Sequence, residues 1–152
     1  MLTEQIQNDL KQAQLSRLAV KVSTLRLLIA EIKNAEIALR LRSGQATIAD
    51  NDIISVIQRE VKKRKEAAAG FRSGGREEQA QKEEAEAKVL TDYLPSQLST
   101  EELTKIVEST INELGVNSIA DMGRVMGAVM GKVKGQADGN TVSVLVKEKL
   151  SQ

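Results

Sequence analysis

Apolar residues recur every three or four positions along nearly the whole chain, a spacing that predicts helices and no strands. Leu2, Ile6, Leu10 and Ala13 mark the first helix. A second, over residues 17–42, carries Leu18, Val22, Leu25, Ile29, Ile32 and Leu39, widened by Leu28 and Ala35. At 3.6 residues per turn it is roughly seven turns long, the spine of its domain. Gly44, just past Arg40 and Arg42, reads as its C-terminal cap. Asp50 reads as the N-cap of a third helix over 51–69, which buries Ile53, Ile54, Ile57 and Val61. The stretch Gly70 to Gly75 reads as the turn that ends it. A fourth helix over 76–94 is polar as far as Glu86 and apolar only at Ala87, Val89, Leu90, Tyr93 and Leu94. Its first half is expected to be solvated or packed only through alanines.

The single proline, Pro95, disfavours helical geometry at Leu94 and sets the expected domain boundary, 1–95 and 96–152. Ser99-Thr100-Glu101-Glu102 is a capping box, Ser-x-x-Glu, opening a fifth helix with Leu103, Ile106, Val107, Ile111 and Leu114 inward and Gly115 as its stop. A sixth helix is expected over 119–133. Asn140, after the glycine-rich turn 135–139, would cap a seventh with Val142, Leu145, Val146 and Leu150 inward. The fold class is all-α: an antiparallel bundle of about four helices, then a small orthogonal domain of three.

Composition narrows the chemistry. The 152 residues include no Cys and no His, which excludes disulfides, thiolate zinc, a cysteine nucleophile and imidazole catalysis. A carboxylate-held Mg²⁺ or Ca²⁺ is the remaining metal option, and neither a metal nor a cofactor is expected. With 22 basic and 21 acidic side chains the net charge is +1, so binding by bulk positive charge is not expected. One Tyr and one Phe leave little for base stacking. No apolar run reaches membrane-spanning length, and Met1-Leu2-Thr3-Glu4-Gln5 lacks a basic region followed by an apolar stretch. A cytoplasmic protein without membrane contact is therefore the expectation.

The most informative stretch is residues 121–135. Met122, Met126 and Met130 form one row at spacing four, and Gly123, Gly127 and Gly131 form a second beside it. An interior helical glycine costs about 1 kcal/mol relative to alanine, so something must offset the row. Close helix packing over the glycines, with methionines filling the core, is one explanation. The other is a bare backbone which, flanked by Arg124, Lys132 and Lys134, lets a phosphodiester approach closely. Charge is also polarised. Residues 99–121 hold one cation and five anions, whereas 122–152 hold five cations and two anions. A second basic cluster is Arg59 with Lys62-Lys63-Arg64-Lys65, Arg72 and Arg76, of which Lys62, Lys65 and Arg72 could share a face. Solvated surface is the plainer reading of this second cluster, and for the polarised charge it stands level with the functional one. Gly127-x-x-x-Gly131-Lys132 is one residue short of a phosphate loop and lacks its Ser/Thr. Ser73-Gly74-Gly75 is a turn without a partner base, and Glu83, Glu84 and Glu86 are expected on an exposed helix with nothing to raise a carboxyl pKa.

Four segments together carry a resemblance: residues 24–36, Val61-Lys62-Lys63-Arg64-Lys65, residues 89–98 around Tyr93-Leu94-Pro95, and Ala120-Asp121-Met122-Gly123 with Gly135-Gln136-Ala137-Asp138-Gly139. In this order the chain resembles the YqeY family, stand-alone relatives of the C-terminal region of GatB, the B subunit of the tRNA-dependent amidotransferase. The resemblance implies an all-helical protein and, through the GatB tail, recognition of the tRNA body. It also implies a family-level activity, carbon–nitrogen ligation with glutamine as amido donor, although this chain has neither a nucleotide loop nor a nucleophile constellation. Position 136, often basic in such sequences, is Gln136 here, one phosphate ligand fewer. The first expectation is thus a non-catalytic tRNA-interacting adaptor. Its candidate contacts are Arg124, Lys132, Lys134 and the Gly123 and Gly127 backbone, with Lys62, Lys65 and Arg76 in support. The second is a protein–protein module docking the Met/Gly helix on a partner from the tRNA-aminoacylation machinery. The third is the glutamine-dependent ligase itself.

Overall fold

The computed structural model describes residues 1–152, which form seven α-helices and no strand. These are α1 (Leu2–Leu15), α2 (Ala19–Ser43), α3 (Asp50–Ser73), α4 (Glu77–Thr91), α5 (Thr100–Leu114), α6 (Met122–Lys132) and α7 (Gly139–Leu150), with a 3₁₀ turn at Ile119–Asp121. The all-α class read from the spacing is the class observed. The chain divides into two compact units, Met1–Leu94 and Pro95–Gln152.

In the first unit Ile6, Leu25, Leu28, Ile32, Ile53, Ile57 and Leu90 close one apolar core. The inward seam of α2 is Leu25, Leu28 and Ile32, while Leu18 stands 50% exposed at the helix start. Helices α3 and α4 pack through small side chains, Ala68 on one and Ala80 and Ala87 on the other, all nearly inaccessible. Alanines let two backbones approach, which is how the polar first half of α4 finds a partner. Helix α3 continues through Gly70 and ends at Ser73, with Gly75 in the left-handed region at φ 73°. Ala49, not Asp50, occupies its N-cap position; the Asp50 carboxylate instead accepts from the Leu2 N–H at 3.2 Å and ties down the start of α1. The Tyr93 hydroxyl donates to Asp9 at 2.6 Å and fixes the end of the α4 segment to α1.

Charge also enters this core. The Arg64 guanidinium, 8% exposed, donates from Nη1 to Glu60 at 2.9 Å and from Nε to Glu86 at 3.3 Å. Lys63 closes on the other Glu60 oxygen at 2.9 Å. Burial pushes the Glu60 carboxyl up, but the hydrogen bonds and charges of Lys63 and Arg64 outweigh it and the pKa falls below the ordinary range. Glu86 therefore corrects the expectation of an exposed carboxylate: it is buried against Arg64.

In the second unit Leu103, Val107, Val125, Val129, Val133, Val142 and Val146 are buried together. The Ser99 capping box is formed, with Glu102 N–H donating to Ser99 Oγ at 3.2 Å and Ser99 N–H donating to the Glu102 carboxylate at 2.9 Å. Gly115 ends α5 at φ 63°, which an L side chain adopts only with strain. Helix α7 is capped by Asp138, whose Oδ1 accepts from Thr141 N–H at 2.8 Å, rather than by Asn140. The glycine-rich turn also holds the segment after Pro95: Gln97 Nε2 donates to the Gly135 carbonyl at 2.9 Å, and Leu98 N–H to that of Gln136 at 2.9 Å.

Candidate nucleic-acid interface

Helix α6 advances about 100° per residue, so positions four apart drift slowly around its axis. Val125 and Val129 point into the core, and Met122, Met126 and Met130 pack half-buried along one edge of that face. Gly123, Gly127 and Gly131 lie on the exposed side, and a Cβ built on any of them meets nothing within 4 Å. The two rows thus separate. The methionines fill core, as the packing explanation holds, but within this unit nothing lies over the glycines.

Arg124 borders the glycine row on the side away from the methionines and is exposed, as is Lys134 just past the helix end. Lys132 is engaged: its ammonium lies 2.7 Å from Glu113 and 3.1 Å from the Thr110 hydroxyl, both on α5. The Lys132 hydrogen bond and charge hold the Glu113 carboxyl below its ordinary range. Lys149 is paired in the same manner with Glu108 at 2.7 Å. Two of the five cations of residues 122–152 are thus neutralised by glutamates of α5. Arg124, Lys134 and Lys147 form no ion pair.

The basic cluster of the first unit disperses over its helices. Arg64 points inward, Lys63 holds Glu60, and Lys62 lies 4.0 Å from Glu66. Arg72 bridges Glu77 and Glu84 at 3.0 and 2.7 Å, so it does not join Lys62 and Lys65 as an available cation. Its hydrogen bonds to those two glutamates lift its pKa and depress theirs. Lys65 and Arg76 are exposed without an ion pair. Between α2 and α3 a groove of about 590 Å³ sets Arg42, Arg59 and Lys63 against Glu31 and Asp52, charges too evenly mixed to select a ligand of one sign.

Helix α2 carries a feature that no sequence expectation covered. Val20, Leu27, Ile37 and Leu41 are 41, 54, 55 and 84% exposed. Their signal is a seven-residue repeat, Val20, Leu27, Asn34 and Leu41, superposed on the three-and-four spacing that marks the inner face.

A sequence model of the YqeY-like proteins matches residues 3–150. The chain is 32% identical to an uncharacterized protein of Schizosaccharomyces pombe over 62% of its length and 72% of the relative's. It is 32% identical to the Altered inheritance of mitochondria protein 41, mitochondrial, of Pyrenophora tritici-repentis, over 80% of this chain and 67% of that one. With the protein of the same name from Eremothecium gossypii it shares 34% identity over 72% of this chain and 58% of the relative, so the alignment spans little more than half of that protein. The relatives named Altered inheritance of mitochondria protein 41 are mitochondrial by name, and they overturn the expectation of a cytoplasmic protein. The composition of a folded domain reports on packing and redox chemistry, and it carries no address.

Proposed function

The chain belongs to the YqeY-like protein family, and from that premise we propose that it is a non-catalytic helical adaptor for tRNA, docking the sugar–phosphate backbone on the exposed side of α6. The observation that carries this reading is the uncovered glycine row. Gly127 lies in mid-helix, where glycine is costly, and nothing within its own unit packs on it to offset that cost. A surface without Cβ atoms brings an incoming backbone close to the helix, and Arg124 and Lys134 lie beside it to meet phosphate oxygens. Resemblance to the GatB tail supports tRNA as the nucleic acid. Lys132, held by Glu113, is a secondary contact that would have to exchange partners. Lys62, Lys65 and Arg76 are supporting phosphate contacts on the first unit.

The half-buried edge formed by Met126 and Met130 favours a second reading, docking of a partner helix against the same face. Titration of the full chain with bulk tRNA at two salt concentrations separates the two. Salt-sensitive binding that is abolished in Arg124→Glu/Lys134→Glu supports the RNA adaptor. Failure to bind at low salt, where attraction is strongest, removes it.

A further inference from the structure

Helix α2 is apolar on two opposite faces. Leu25, Leu28 and Ile32 fill the core of the first unit, while Val20, Leu27, Ile37 and Leu41 face solvent. A helix apolar all round is normally buried all round. The outer residues fall in heptad phase. Val20, Leu27, Asn34 and Leu41 occupy successive a positions; Ser23, Ala30 and Ile37 occupy the d positions, and all seven are exposed. The core residues Leu25 and Ile32, and the half-buried Leu39, occupy f, the position opposite the seam, so the seam is centred on the uncovered side of the helix.

We infer that this seam pairs with the same seam of a second copy, the two α2 helices running parallel and in register. Charge decides the occupant and its direction. The g positions are Arg26, Lys33 and Arg40, and none of them has an ion pair. In an antiparallel pair g faces g, and three cations would oppose three cations. In a parallel pair g faces the following e position of the other strand, and Arg26 meets Glu31 twice about the two-fold axis. In-register pairing also sets Asn34 against its own copy, the arrangement by which one polar a residue selects two strands and one register. Ser23 and Ala30 at d are small enough for close approach of the two helices. This seam lies on the first unit and does not depend on the reading of α6.

The chain has no cysteine, so each engineered thiol is unique. Sedimentation of the full chain should show a mass rising with concentration from 16.6 kDa towards twice that value. Leu27→Glu/Ile37→Glu should hold it at the monomer mass; both side chains are more than half exposed, so the circular dichroism spectrum should keep its helical signal. Val20→Cys alone should oxidise to a covalent dimer. A single monomer mass at every concentration, or a dimer that survives the double glutamate variant, overturns the inference. So does a disulfide that forms only when Val20→Cys is mixed with Leu41→Cys, which marks antiparallel pairing.

Discussion

Replacing Gly127 by alanine should stabilise the Pro95–Gln152 unit. Gly127 lies mid-way along α6 with ordinary helical backbone, and the added methyl enters open space. The full difference in helix propensity, about 0.8–1 kcal/mol, is then gained without a steric penalty. Gly123 and Gly131 lie in the first and last turns, where a glycine costs less, so their alanine variants should gain a smaller amount. In the intact chain, hydrogen exchange at Val107, Val129 and Val146, all fully buried in that unit, reports its opening. One kcal/mol slows such exchange by about five-fold. Leucine has nearly the helix propensity of alanine, so Gly127→Leu should slow exchange comparably while its bulk holds a ligand backbone off the helix. The decisive pattern is therefore a variant that is more stable and binds tRNA less. Faster exchange in Gly127→Ala would refute the reasoning, because it would mean that something in the folded chain already occupies the space above the row.

Arg64→Ala should cost the first unit about 3–5 kcal/mol in denaturant melts, since it leaves Glu86 buried without its counter-charge and Glu60 with Lys63 alone; Arg64→Met together with Glu60→Gln and Glu86→Gln should recover much of that deficit. Tyr93→Phe should cost about 1–2 kcal/mol by removing the 2.6 Å bond to Asp9, with α1 amides losing exchange protection first. The depressed Glu60 pKa contributes stability that is present above the ordinary glutamate value of about 4.3 and lost as pH falls through the lower folded value. Melts on either side of that point should show the first unit weakening with acid, and a flat profile in the wild type would contradict the assignment.

The helices were legible because each local signal agreed with the next: the Ser99 capping box, the stops at Gly44 and Gly115, and the inward stripes of α3, α5 and α7. Other features depended on what lies across from them. Asp50 and Asn140 read as N-caps from their own segments, but a tie to α1 engages the Asp50 side chain, and Asp138 supplies the carboxylate that accepts from Thr141 N–H at the start of α7. Gly70 reads as a breaker but is carried through by packing of α3 on α4. Arg64 reads as one of four surface cations, because nothing in its own segment announces that Glu86 faces it from α4. For α6, spacing placed methionines and glycines in adjacent rows, but it could not say which row the rest of the chain would cover. The outer stripe of α2 was hidden for a related reason, since a helix with two apolar faces reads by periodicity as one broad face.

The central claim is most directly tested by the salt dependence of tRNA binding. The affinity of the full chain should fall linearly on a log–log plot against salt. Arg124→Glu/Lys134→Glu should both weaken binding and flatten the slope by about 0.7–0.9 for each phosphate the variant no longer neutralises. An unchanged slope and affinity in the double variant would contradict the account and move the interface away from α6.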